Sequence, residues 1–141
     1  MTISRIHLSG KCDHHLAVKL HRLYWLMRVG VVIIWSWTAY VSWFVFPQAE
    51  SLDWLRRIGL THQTYFWFVS ACLFDFMMGV ASAFFASRLL WGVQILIVFF
   101  YSVVIAFGLP EFFVHPFGPL IKNIAVLACL AYLVTMQPTA D

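Results

Sequence analysis

A carboxylic acid, Asp75, stands in the middle of the apolar stretch 64–87, and a phenol, Tyr101, in the middle of the next, 89–109. The imidazole of His115, the amine of Lys122 and the amide of Asn123 follow in LPEFFVHPFGPLIKN, just ahead of the apolar run 124–136. Arg28 and Gln94 lie nearer the opposite ends of their own runs. An ionisable group inside lipid costs at least ~2.5 kcal/mol at a helix centre, so each needs a partner or a task. A carboxyl takes and gives protons, and a tyrosine hydroxyl can donate to it. Lysine, histidine and the free N–H groups of a helix start suit a carbonyl oxygen or an anion. Together they make a candidate polar pocket. The bland counterpart is a carboxyl that only ties helices together and a lysine that snorkels outward.

Spacing places some of these groups. Ala71, Gly79 and Ala83 recur every four residues around Asp75, with Ser82 beside them, and small residues at that spacing mark a close helix–helix approach. Asp75 is therefore expected to face the interior. At ~1.5 Å of rise per residue, Asp75 and Tyr101 both come out roughly 18 to 20 Å from the same end of their runs, and Arg28 and Gln94 at roughly 8 to 9 Å. Lys122 is only ~6 Å from Asp75 in depth, so an inward-turned lysine would reach towards it. Pro116 and Pro119 bracket Phe117 and Gly118, and a turn stiffened in this way fixes the direction of His115. Trp35 and Phe117 are expected as aromatic walls of the pocket.

The elements that must carry these groups are helices in a membrane. The 141 residues are 62% hydrophobic and only 11% charged, against ~25% charged in a soluble domain. The apolar residues fall into four runs, 23–46, 64–87, 89–109 and 118–136, each near the ~20 residues that cross a ~30 Å hydrocarbon layer. Backbone groups have no water there, and no alternating strand pattern appears, so the predicted fold is all-α: an integral membrane four-helix bundle. Residues 1–22 form a basic N-terminal segment, 23–136 the transmembrane domain and 137–141 a short tail. Lys and Arg on the side of the termini (Arg5, Lys11, Lys19, Arg22, Arg28, Arg88) outnumber Arg56, Arg57 and Lys122, which predicts cytoplasmic termini. Within SLDWLRRIG, Ser51 as N-cap, Leu52, Leu55 and Ile58 at helical spacing, and Gly59 as a stop predict a short surface helix between spans one and two.

The remaining motifs are bland. Trp25, Trp54, Trp67 and Trp91 suit the aromatic belt of a membrane protein. Cys12, Asp13, His14, His15 and His21 cluster without a zinc spacing, so no metal site is assigned and the segment reads as solvated beside lipid headgroups. Cys72 and Cys129 sit in apolar runs as small hydrophobes. Nothing points to a nucleic-acid partner.

HPFGPLIKN, behind a four-span pattern with Asp75 in span two, resembles the DoxX-like family of small bacterial membrane proteins. The likeness extends over residues 23–136 and includes WSWTAYVSWFVFP and SLDWLRRIGL. Many relatives carry Gly-x-x-Pro-Lys before the closing Phe-Pro of span one; here Ala39, Ser42 and Trp43 stand there, leaving Lys122 as the main basic candidate. The resemblance implies a four-helix bundle in the bacterial inner (cytoplasmic) membrane. It also implies a link to redox, with relatives found beside or fused to soluble oxidoreductase domains. On that basis the pocket of Asp75, Tyr101, His115 and Lys122 takes a quinone-like or other small carbonyl ligand, with a soluble oxidoreductase as partner and electron donor. Two readings stay open beside it: a structural anchor for such an enzyme, and a small proton-coupled transporter using Asp75.

Overall fold

The structure, a computed structural model, describes residues 10–114 and 119–137, and its regular elements there are all helical. Helix α1, Gly10–Tyr40, continues into a wider turn, Val41–Val45, closed by Phe46 N donating to Val41 O at 2.8 Å. Phe46 is then extended (ψ 141°), the conformation demanded of a residue before proline, and Pro47 ends the run. Residues 10–22, expected as a separate basic segment, are helical and continuous with the first apolar run.

Helix α2, Gln48–Arg57, is the expected surface helix, but Ser51 is not its N-cap; Pro47 is. The fixed proline φ starts the helix just over a turn earlier than the side-chain signal indicated. Its end follows the glycine rule: Gly59 has φ +102°, Gly59 N donates to Arg56 O at 3.0 Å and Leu60 N to Leu55 O at 3.0 Å, a Schellman closure. Helix α3 is Thr64–Phe84, and α4, Arg88–Gly108, is capped by Ser87 Oγ accepting from Leu90 N at 3.1 Å. One turn, α5, Glu111–Val114, precedes α6, Pro119–Met136, which opens on proline at the position where its missing N–H costs nothing.

Three stretches are long and apolar enough to cross a membrane: His14–Val45, Thr64–Phe84 and Arg88–Gly108. Helix α6, at 18 residues, is apolar but shorter, about 27 Å. Phe84, Leu89, Leu96, Ile121 and Phe107, the last 87% exposed, point outward with many other large apolar side chains. Such a surface is stable only against lipid, and the chain is a membrane-embedded, multi-pass protein.

The helices pack in the order α3, α1, α6, α4. A core of Val31 and Trp35 from α1, Trp91 and Val98 from α4, and Leu130 and Leu133 from α6 holds three of them. Helix α3 joins through its small residues: a Cβ on Gly79 would lie 2.6 Å from Ser36 Oγ, so the α1 and α3 backbones approach closely there. Although consecutive, α3 and α4 barely touch. The space left between them, at the end carrying α2 and α5, holds the site described next.

Candidate functional site

Helix α3 buries Thr64, Phe68, Cys72, Asp75, Gly79 and Ser82, a stripe that runs along one face. Asp75 is thus turned inward, as its small-residue neighbours predicted, and is only 9% exposed. It lines a cavity of about 380 Å³ together with Phe68, Ala71 and Cys72 of α3, Ile105 of α4, and Leu109 just past it. Ser42 contributes from the widened end of α1; Ser51, Trp54, Leu55 and Ile58 come from α2, and Phe112 from α5. Among the described residues the lining is overwhelmingly apolar, and the carboxyl is the one acidic group there.

The expected partners of Asp75 do not pair with it. Its Oδ1 is buried and has no hydrogen-bond partner among the described residues. Tyr101 is half-buried on α4, but no hydrogen bond joins it to Asp75. Equal depth gave the axial coordinate only, and α3 and α4 pack little against each other. Lys122 lies exposed on the first turn of α6, a helix that packs on α4 and α1 and not on α3, and no ion pair joins it to Asp75. Asn123 Nδ2 donates to Ser102 Oγ at 2.8 Å, and Ser102 Oγ donates to Val98 O at 2.7 Å, so this amide ties α6 to α4. His115, Phe117 and the turn around them lie outside the described residues.

Arg28 and Gln94 belong to the opposite end, and they meet on Ser82. Arg28 Nε donates to Ser82 O at 2.9 Å and Nη2 to Ala83 O at 2.7 Å, while its guanidinium carbon sits 4.9 Å from the Trp25 ring centroid. These carbonyls are in the last turn of α3, where they lack helical partners and carry the negative end of the dipole; the arginine is a buried C-terminal cap. Gln94, fully buried, accepts from Trp35 Nε1 at 3.1 Å and donates to Ser82 Oγ at 2.7 Å, and that hydroxyl donates to Met78 O at 2.7 Å. Trp35 is therefore a member of this network and not a wall of the Asp75 cavity. Its place among the rings is taken by Trp54, Phe68 and Phe112.

One polar centre escaped the sequence reading. Gln137 Oε1 accepts from Tyr24 Oη at 2.5 Å and Trp91 Nε1 at 3.0 Å, its Nε2 donates to Ala86 O at 3.2 Å, and its backbone carbonyl accepts from Arg88 Nε at 3.1 Å. It gathers α1, α4 and the α3–α4 turn onto the end of α6. The only available signal was a glutamine immediately after an apolar run, which is indistinguishable in sequence from a solvated tail.

Across the α2/α5 end, Arg57 Nη1 lies 2.6 Å from Glu111 Oε1, and the Trp54 and Phe112 rings meet edge to face at 5.2 Å between centroids. The Arg57 hydrogen bond holds the Glu111 carboxyl below the ordinary glutamate value, and the same bond raises Arg57. Gly108 explains how close α4 comes: a Cβ there would collide with Ile58 Cγ2 of the α2 ending. Two short helices are thereby fastened over the cavity. Among the described residues, no group of His, Cys, Asp and Glu is placed to hold a metal ion.

The arrangement offers a hydrogen-bond acceptor in an aromatic, apolar cleft large enough for a small ring. No curated protein and no solved structure matches the chain. The model of the DoxX-like family matches residues 32–131, which include Asp75, Gln94, Tyr101, Lys122 and Asn123 but not Arg28 or Gln137. With that span covering most of the helical region and the whole cavity lining, the chain belongs to the DoxX-like family.

Proposed function

We propose that the chain is a membrane component of a redox system and that the Asp75 cavity holds a quinone-like ligand. The observation that carries this reading is the unpartnered Asp75 Oδ1 at the wall of a 380 Å³ cavity. Burying a polar group without a partner costs about 1–3 kcal/mol, a cost a purely structural residue has no reason to retain. Ligand sites are typically apolar enclosures with one or two oriented polar groups. Phe68, Trp54 and Phe112 supply flat surfaces for a ring, and Asp75 handles the proton that accompanies its oxidation or reduction. Electrons arrive from a soluble oxidoreductase. Tyr101 on α4, Lys122 and Asn123 on α6, and His115 from the stretch between those helices are proposed to complete the polar surroundings.

In this reading α6 is the fourth span, and the protein is a four-helix bundle of the bacterial inner membrane. Both termini are cytoplasmic, from the distribution of Lys and Arg, and the α2/α5 end faces outward. Detergent-purified protein analysed by mass spectrometry should retain an isoprenoid quinone, and Asp75→Asn should lower its content about tenfold while the protein still assembles. A wild-type preparation free of any lipid-soluble redox molecule overturns the reading.

A second reading has its own support. Arg28, Gln94, Asn123 and Gln137 all make helix-to-helix ties, as in an anchor whose polar groups fix packing only. Loss of assembly with Asp75→Asn, with no ligand lost, is the outcome that favours it.

A further inference from the structure

We infer that the Asp75 cavity holds its ligand at two polar ends, Asp75 at one and the Ser42 and Ser51 hydroxyls at the other, and so takes a ring compound with oxygens at opposite positions. This deepens the reading of the cavity as a ligand site and rests on it. Hydroxyls on a helix commonly donate back to a carbonyl one turn earlier. Here Thr38 donates to Ile34 O at 2.8 Å, Ser82 to Met78 O at 2.7 Å and Ser102 to Val98 O at 2.7 Å. Ser42 and Ser51, half-buried in the cavity wall, make no such bond among the described residues. Each exception has a local cause. Ser42 stands in the wider turn, where Phe46 N reaches back five residues to Val41 O and the four-residue register is lost. Ser51 would have to share Pro47 O, which already accepts from Glu50 N at 3.1 Å and Ser51 N at 3.3 Å.

Two contacts between α1 and α3 give the offset between these ends. Ser36 lies against Gly79, and the Trp43 ring stacks on Phe68 at 6.0 Å between centroids. Asp75 falls between Phe68 and Gly79 on α3, whereas Ser42 adjoins Trp43, so Ser42 sits roughly 3 to 8 Å nearer the α2/α5 end than Asp75. Ser51, on the surface helix, belongs to that same end. One six-membered ring with an oxygen on each side covers such an offset. Ala71, Cys72 and Ile105 leave the rest of the lining apolar, and Trp54, Phe68 and Phe112 match the flat body of the ring. A ligand with a single oxygen leaves one end of the wall without a partner. The two-ended fit holds for either protonation state of the carboxyl, because a serine hydroxyl donates and accepts equally. A hydroxyaryl ketone can present its hydroxyl to Asp75 and its carbonyl to the serines, or the reverse.

The test uses the full-length protein in lipid nanodiscs and three probes of matched shape: a para-hydroxyaryl ketone, the same ketone without its hydroxyl, and the same phenol with the carbonyl replaced by a methylene. Binding is read from the saturable rise in unfolding midpoint with probe concentration in the lipid phase, and located by protection of Cys72, which lines the same wall, from alkylation. The two-oxygen probe should half-saturate at about tenfold lower concentration than either one-oxygen probe. That advantage should disappear in Asp75→Leu, and equally in the double variant Ser42→Ala, Ser51→Ala, whose unfolding midpoint without probe should match wild type. Equal binding of the three probes by wild type overturns the two-ended site and leaves the ligand cavity standing. So does an advantage that survives the serine double variant while Asp75→Leu abolishes it. No saturable effect of any probe overturns the cavity reading along with it.

Discussion

Arg57 and Glu111, 54 positions apart in the chain, form the ion pair that joins the surface helix α2 to the short α5 turn, at a distance of 2.6 Å. Both side chains are nearly half exposed, so their electrostatic contribution is screened and small. What matters is their position, because Trp54 and Phe112 of the same two helices line the Asp75 cavity. Glu111→Gln should raise the alkylation rate of Cys72 about twofold in a protein with Cys12→Ser and Cys129→Ser, and an Arg57→Glu, Glu111→Arg double exchange should restore it. The pH dependence has a definite sign. Folding depresses Glu111, so its contribution is complete above the ordinary glutamate value of about 4.3 and is lost as pH falls through the lower folded value. Arg57 is raised and stays protonated throughout. Cys72 alkylation, corrected for thiolate content, should therefore rise only on acidification below that value; an effect near neutrality rules out this pair as its cause.

Asp75→Leu should leave the unfolding midpoint unchanged or raise it, because it removes a buried acceptor that has no partner and adds apolar volume beside a cavity. Ligand binding should be lost in the same protein. A fall in midpoint corresponding to more than about 2 kcal/mol would mean that the carboxyl holds helices together.

Gln94→Leu should be costly. It leaves Trp35 Nε1 without its acceptor in a fully buried network, and Ser82 Oγ loses a donor. A loss of about 1–3 kcal/mol is expected in reversible unfolding, with no effect on probe binding at Asp75.

Arg28→Met should destabilise by about 2–4 kcal/mol, since two charge-assisted bonds to the last-turn carbonyls of α3 disappear. Arg28→Lys should recover part of this, because lysine keeps the charge but not the two-pronged donor geometry. Equal stability of Arg28→Lys and wild type would reduce the cap to a dipole effect.

Single cysteines at Gln48 and His14, in a background with Cys12→Ser, Cys72→Ser and Cys129→Ser, test the orientation. A membrane-impermeant thiol reagent added to whole cells should modify the cysteine at 48 and not that at 14. The reverse pattern turns the proposed topology over.

The helices themselves were legible in the sequence, because lipid removes every alternative for the backbone: unbroken apolar runs mark them, and Pro47 and Gly59 mark boundaries by rules that act within one turn, although α3 ends at Phe84 and Ser87, expected as the end of that run, caps α4. The inward face of Asp75 was legible too, since Ala71, Gly79 and Ala83 repeat with the helix period. Residue counting also placed Arg28 and Gln94 at one level, and they do share Ser82. It could not choose partners. A depth along the membrane normal is one coordinate, and contact also requires that two helices be neighbours with the right faces turned together. In the order α3, α1, α6, α4, no hydrogen bond or ion pair joins Asp75 to Tyr101 or Lys122, although all three had been expected to converge. The same order brings Gln137, just past the end of α6, into hydrogen bonds with Tyr24 of α1 and Trp91 of α4, a meeting of residues 113 and 46 positions apart that no local pattern encodes. Only the packing of side-chain volumes decided that order, and with it an Asp75 facing a cavity in place of a partner.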